Sequence, residues 1–301
     1  MHLRQLEYID MIVKHGTMRE AAQQLFVTEP TISQQVREFE KEIGFQIFER
    51  SGRNIKLTKQ GEKVLPTIRN VLLSVKDLEN HIIEINDPST GQIQLGIGPL
   101  TASRYLPELF QKFNILYPKV KLNVVQGGLF ELTRLLIDNQ LDVVVAPVNP
   151  STKELMELNH FECITLFHDE YIAIVSKNHP FSSRTEISIH EISNEQLILY
   201  RTGILREYIL SIFGEEFKEN IIFSTDNNES TLALVRLGVG ISIIPKFYTE
   251  SWSEKDKEGI SFVTFHDIAV KSDPCCFYSK KRYAPQYLKK FIEILIEITK
   301  K

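Results

Sequence analysis

Between Val64 and Ile85, apolar residues recur at alternating four- and three-residue steps: Val64, Ile68, Val71, Val75, Leu78, Ile82 and Ile85. An α-helix turns once in 3.6 residues, so a strict seven-residue repeat keeps one apolar seam in register only when the helix winds around a partner. Three unbroken heptads therefore predict a long helix that pairs two chains. Pro66 interrupts the pattern early and should bend the helix or fall near its first turns. The breaker cluster Asn86-Asp87-Pro88-Ser89-Thr90-Gly91 ends it. The chain divides accordingly into a small N-terminal piece (1–58), a linker and dimerisation helix with its hinge (59–90), and a large C-terminal piece (91–301).

The N-terminal piece reads as short helices. Leu3, Leu6, Ile9 and Val13 mark the first, stopped by Gly16. Thr17 is placed to cap a second, carrying Met18, Ala21, Ala22 and Leu25, and Thr28 to cap a third. In that third helix Pro30 occupies the tolerant first turn, Ile32, Val36 and Phe39 form an apolar stripe, and Gly44 ends it. Residues 48–57 enclose a Ser-Gly-Arg-Asn turn and predict a small hairpin. Two short helices about a tight turn have the dimensions of a helix-turn-helix. The outward face of the second carries Glu29, Thr31, Ser33, Gln34 and Arg37, residue types that hydrogen-bond base edges or phosphates. Overall the chain is acidic, with 35 Lys plus Arg against 39 Asp plus Glu, which excludes a general affinity for nucleic acid. Arg50, Arg53, Lys56, Lys59 and Lys63 nevertheless stand against Glu62 alone, a local excess of four positive charges.

Beyond Gly91 the pattern alternates: extended 92–97, helical 102–116, extended 120–126, helical 131–139, a buried run at 141–145, and similar alternation to a last helix over 285–299. Such βαβ alternation predicts parallel-rich sheets covered by helices, and about 210 residues is enough for two lobes. The familiar catalytic motifs are missing: no GxSxG, Walker loop or HExxH occurs, and both Gly-x-Gly pairs lack the third glycine of a dinucleotide fingerprint. Three cysteines without a CxxC, and eight scattered histidines, predict neither a disulfide framework nor a metal site, and no catalytic residue or cofactor is expected. A charged N-terminus and the lack of a long apolar run predict a soluble cytoplasmic chain with no membrane partner.

Residues 17–50, followed by Ile55-Lys56-Leu57-Thr58 and Gly61, resemble the DNA-binding head of LysR-type transcriptional regulators. The resemblance is carried by Ala21-Ala22, Leu25, Thr28 with Pro30, Ser33, Glu40-x-Glu42-Ile43-Gly44 and Phe48-Glu49-Arg50. It continues through Leu106-Pro107, Tyr117-Pro118, Leu141-Asp142, His179-Pro180 and the stretch 235–245. It implies a winged helix-turn-helix head on an α/β chain, a long linker helix, and a two-lobed effector domain resembling periplasmic solute-binding proteins. The lobes would comprise about 91–165 with 267–301, and about 166–266. The implied partners are double-stranded promoter DNA, a small-molecule effector, further copies of the chain as homodimer or homotetramer, and RNA polymerase.

Carried over residue by residue, the resemblance puts Thr28, Glu29, Pro30, Thr31, Ser33, Gln34 and Arg37 at the DNA, with Arg50, Arg53 and Lys56 at the wing. Many members have Gln where this chain has Glu29 and Arg where it has Gln34. A carboxylate accepts only, so cytosine N4 is the natural base partner of Glu29, and Gln34 suits adenine. The implied effector positions are Gly98, Leu100, Thr101, Gly128 and Leu129 on the first lobe, with Tyr200, Arg201, Thr202 and Asn228 on the second. Gly98, Leu100 and Leu129 stand where hydroxyl residues are common, so the first lobe is expected to offer an apolar wall and the second the polar contacts. The competing reading is a cytoplasmic solute-binding protein or enzyme with structural N-terminal helices. Neither the basic hairpin nor the heptad seam has a purpose in it.

Overall fold

The computed structural model describes residues 1–300 apart from 52, 53, 149, 202, 203, 226, 268–270 and 272. Residues 1–83 and 84–301 form two compact units.

The first unit opens with α1 (Leu3–His15), α2 (Met18–Gln24) and α3 (Glu29–Ile43). Local chemistry sets their ends. The Thr17 hydroxyl accepts the Glu20 N–H at 3.2 Å, and Gly16 and Gly44 end α1 and α3 in the left-handed conformation, at φ 78° and 82°. An antiparallel hairpin, β1 (Phe48–Ser51) and β2 (Asn54–Leu57), follows and leads into α4 (Lys59–Asn86). One apolar core, built on Ile9, Ile12, Ile32, Val36, Phe39 and Ile47, joins these helices. The start of α4 closes it. The Thr58 N–H donates to the Ile47 carbonyl at 2.8 Å, and Leu65 and Ile68 enter the core.

This changes the reading of the heptad seam. Ile68 is only 4% exposed and belongs to the core of the first unit, with Val64 packed half-buried against it. Both were expected in the seam; the intramolecular core occupies them instead. An apolar stripe shows that something covers it, not what. From Val71 onward the stripe emerges: Val71, Leu78, Ile82 and Ile85 are exposed and Val75 is half-buried. Pro66 is carried inside the helix.

The second unit begins with β3 (Thr90–Ile97), α5 (Pro99–Leu116), β4 (Lys119–Gln126), α6 (Leu129–Ile137), β5 (Val143–Pro147), α7 (Pro150–Leu158) and β6 (Phe161–Thr165). The chain then crosses to a second sheet through β7 (Tyr171–Ser176), β8 (Glu186–Ile187), β9 (Leu197–Leu199), α8 (Ile204–Phe213), β10 (Ile221–Ser224), α9 (Asn228–Arg236), β11 (Ile241–Pro245), α10 (Glu254–Lys257) and β12 (Ile260–Phe265). It returns with β13 (Pro274–Ser279) and α11 (Gln286–Thr299). The sheet orders are β4-β3-β5-β13-β6 and β10-β9-β11-β7-β12-β8.

Each sheet has a parallel heart. β3 runs parallel to β4 and β5, and β9 to β10 and β11. The crossing and returning strands, β7 and β13, pair antiparallel with their neighbours. The first lobe is sealed by α5 and α11, where Leu109 and Phe113 meet Phe291 and Leu295. The second is sealed around Val175, Leu197, Ile209, Ile241 and Val263. The amino end of α11 is tied to the last turn of α4: Glu84 accepts the Gln286 N–H at 2.8 Å and the Tyr283 hydroxyl. Among the described residues, no helix is long and apolar enough to cross a membrane.

Candidate functional site

Two surfaces gather the residues singled out above. The first is the outer face of α3. Thr28 holds the N-cap with extended backbone; its hydroxyl accepts the Thr31 N–H at 3.4 Å, and the two hydroxyls share a hydrogen bond of 2.8 Å. Because Ile32, Val36 and Phe39 face the core, helical geometry turns Glu29, Pro30, Thr31, Gln34 and Arg37 to solvent, with Ser33 half-buried. A shallow groove of about 480 Å³ runs along this face beside Pro30, Ser33, Gln34, Arg37, Glu38 and Lys41. Sequence reasoning missed Glu38. Its carboxylate accepts from Gln34 Nε2 at 2.9 Å and from Gln35 Nε2 at 3.0 Å, so Glu38 takes one of the two amide hydrogens of Gln34 and sets the direction of its side chain. The four-residue spacing of Gln34 and Glu38 was the available signal.

The hairpin follows α3 in the chain. Glu40 fixes it: one carboxylate oxygen accepts the N–H groups of Ile47 and Phe48, at 2.7 and 3.1 Å. Lys56 is exposed and lies opposite Glu49 in the strand register. Arg50 lies on β1 opposite Ile55. Its side chain, and the whole of Arg53, fall outside the described residues.

The second surface is a cleft between the two lobes of the second unit. The parallel strands of both sheets end toward it, as ligand crevices of open α/β sheets do. Gly98 caps α5 just after β3, Gly128 caps α6 just after β4, Tyr200 follows β9, and Pro245 ends β11. The cleft measures about 370 Å³, near the small end of the ~300–1,000 Å³ typical of small-molecule sites.

Of the expected residues, Gly98, Leu100, Thr101, Gly128, Leu129 and Tyr200 line this cleft. Arg201 and Asn228 do not. Arg201 is exposed outside it, and Asn228 accepts the Tyr200 hydroxyl behind the wall. Thr202 falls outside the described residues. Gly98 is not imposed by crowding, since an added Cβ would find its nearest neighbours at 3.8–3.9 Å. The cation that does reach the cleft is Arg206, in the first turn of α8, which sequence reasoning passed over for Arg201. One Arg206 nitrogen, Nη1, donates to Ser224 Oγ at 3.1 Å and to the Tyr200 carbonyl at 3.4 Å. Glu131, in the first turn of α6, lines the opposite lobe and folds back over Gly127.

Phe247 also lines the cleft, and its ring packs against Phe167 at 5.3 Å and Tyr105 at 6.2 Å. Its N–H donates to Asp169 Oδ1 at 3.0 Å in the connection from β6 to β7. The other carboxylate oxygen of Asp169 is buried without a hydrogen bond, and burial pushes its pKa up to about 6. Asp273, on the return path, accepts the Asp169 N–H at 2.9 Å and bonds His168 Nδ1 at 2.7 Å. Among the described residues, no group of three or more acidic, His or Cys side chains is placed to hold a metal ion.

Comparison with known proteins covers both units. The family described as "Bacterial regulatory helix-turn-helix protein, lysR family" matches residues 3–62, and the "LysR substrate binding domain" matches residues 86–299. The HTH-type transcriptional activator CmpR of Synechocystis sp. is 29% identical over 245 residues, 80% of this chain and 78% of that protein. The DNA-binding transcriptional dual regulator OxyR of Escherichia coli K12 is 24% identical over 276 residues, 91% of this chain and 87% of that one. Among solved structures, full-length CbnR complexed with its target DNA shares the fold, with a TM-score of 0.59 and 20% identity over 99% of this chain and 100% of that one.

Proposed function

The chain belongs to the LysR family, DNA-binding transcriptional regulators with an effector-binding domain, and from that premise we propose how its parts divide the work. The head, 1–58, reads a partly palindromic site in double-stranded promoter DNA. The helix at 59–90 pairs two chains through Val71, Val75, Leu78, Ile82 and Ile85, and the pairs assemble further into a tetramer that meets RNA polymerase. The remainder, 91–301, answers a small molecule held between its lobes, and no catalytic step is assigned to the chain.

The observation that carries this reading is the exposed polar face of α3, a helix joined to the hairpin through Glu40. Arg37 and the wing residues Arg50, Arg53 and Lys56 neutralise phosphates; Gln34, Ser33 and Glu29 meet base edges in the major groove. The amino end of α3, capped by Thr28, favours a phosphate. A ligand acts by binding one lobe arrangement better than the other. The Glu84 bonds to Tyr283 and to the start of α11 pass that difference to the end of the linker helix.

Gel retardation with the DNA flanking the chain's own coding region tests this. Gln34→Ala should cost roughly 1–3 kcal/mol on the specific site and relax preference at one base position per half-site. Arg53→Ala should weaken specific and random DNA alike and lower the salt slope by about one for each phosphate it leaves without a counter-charge. A Gln34→Ala, Arg37→Ala protein with unchanged affinity and site choice refutes the assignment of α3.

A further inference from the structure

We propose that the interlobe cleft takes a zwitterion, an α-amino acid with an apolar side chain, its ammonium on Glu131 and its carboxylate on Arg206. The inference rests on the reading of this cleft as the effector site and gives that effector a chemical class.

Among the described residues, two charged side chains line the cleft, and they have opposite signs and sit on opposite lobes. Arg206 is braced on one edge: Nη1 is held by Ser224 and the Tyr200 carbonyl, while Nε and Nη2 bond to nothing among the described residues. A guanidinium fixed on one side with its other edge open is ready to hold a carboxylate by two parallel hydrogen bonds. Glu131 makes no hydrogen bond or ion pair among the described residues, and its carboxylate lies over Gly127 at the mouth of α6. The rest of the wall is largely apolar, with Leu100, Leu129, Leu199, Leu205 and Phe247 beside the uncharged polar side chains of Thr101, Gln126, Tyr171 and Tyr200.

Charge decides between ligand classes. A ligand seated between the two groups displaces water from each, and a charge that loses water without gaining a counterpart is costly. A plain carboxylate would satisfy Arg206 and leave Glu131 facing a second negative charge. A plain amine would do the reverse. Only a ligand with both charges leaves neither group unpaired, and the site rejects the others by the same repulsion. The small volume and largely apolar wall suit one apolar side chain as the rest of the molecule. The amino ends of α5 and α6 are weakened as rival anion sites, because Pro99 removes one amide of the first and the Glu131 carboxylate stands in the first turn of the second.

The test measures binding to the full-length protein by calorimetry for L-valine, L-leucine, L-isoleucine, L-methionine and L-phenylalanine. Each is compared with its deaminated acid and its decarboxylated amine. At least one amino acid should bind about tenfold or more tighter than either single-charge relative, and Arg206→Gln should remove that binding. In Glu131→Gln, an exposed and conservative change, the preference for the amino acid over its deaminated acid should fall by about threefold or more. Equal binding of the deaminated acid, a preference that survives Glu131→Gln, or no binding by any of the five amino acids overturns the inference. Leu129→Trp, which fills the cleft, separates the two levels. If a deaminated acid binds as tightly as its amino acid and Leu129→Trp abolishes that binding, the cleft reading stands and the zwitterion falls. If an amino acid binds despite Leu129→Trp and Arg206→Gln, the cleft reading falls as well.

Discussion

Replacing Asp169 by Asn is expected to stabilise residues 84–301 at neutral pH and to leave their stability unchanged in acid. The carboxyl titrates near 6 instead of the ordinary 3.8 because burial penalises its charge, with Glu250 and Glu170 adding to the effect. A shift of about two units corresponds to about 3 kcal/mol if fully expressed. Asp169 is only half-buried, so solvent screening leaves about 1–1.5 kcal/mol. The sign follows from proton binding. Below about pH 3 both folded and unfolded chains hold the proton and no penalty exists. As pH rises toward 6 the unfolded chain releases its proton first, and above 6 the folded chain carries the full cost of a buried charge. An asparagine at this position still accepts the Phe247 N–H through its oxygen, and a neutral amide costs less to bury than a carboxylate. For a unit of this size the gain at pH 7.5 should raise Tm by about 2–5 °C, and only a small part of it should remain at pH 4. Scanning calorimetry of wild type and Asp169→Asn at pH 7.5, 6 and 4 measures it. An unchanged or lower Tm at pH 7.5, or a gain as large at pH 4 as at 7.5, refutes the argument.

Three further expectations concern the first unit and its helix. Leu78→Asp with Ile82→Asp puts two carboxylates into the exposed part of the seam, and sedimentation should find monomers, since two buried charges cost several kcal/mol, as much as a modest dimer interface supplies. Gly61→Ala would place a Cβ 2.3 Å from the Ile47 carbonyl oxygen; urea unfolding should show a loss of about 1–3 kcal/mol, with weaker DNA binding as the hairpin is displaced. Phe26 is 96% exposed and held at φ 55°, a conformation unfavourable to bulky residues, so Phe26→Asn should raise the stability of the first unit by about 0.5–1 kcal/mol.

What the sequence made legible follows the range of the interactions involved. Caps, stops and apolar stripes are local, so Thr17, Thr28, Gly16 and Gly44 delimit α1 to α3 within a residue or two, and the Ser-Gly-Arg-Asn turn marks the hairpin. The α/β alternation was legible too, but β6, β8, β12 and β13 were not. β13 lies between β5 and β6, and β12 between β7 and β8, and only those partners define them. The same divide runs through the sites. The outward face of α3 is fixed by the stripe opposite it, whereas the Gln34–Glu38 bond, which orients the Gln34 amide, is seen only when both side chains are placed. In the cleft, positions on strand ends and helix caps were found because backbone geometry puts them there. Arg206 was missed in favour of Arg201 because the choice depends on where α8 starts. With Ile204 as its first helical residue, Leu205 turns into the second lobe's core and Arg206 reaches the cleft. Turning that helix by one residue would bring Leu205 or Glu207 to the place of Arg206. The positive charge at the polar end of the cleft would vanish or reverse, and with it the class of ligand the cleft can hold.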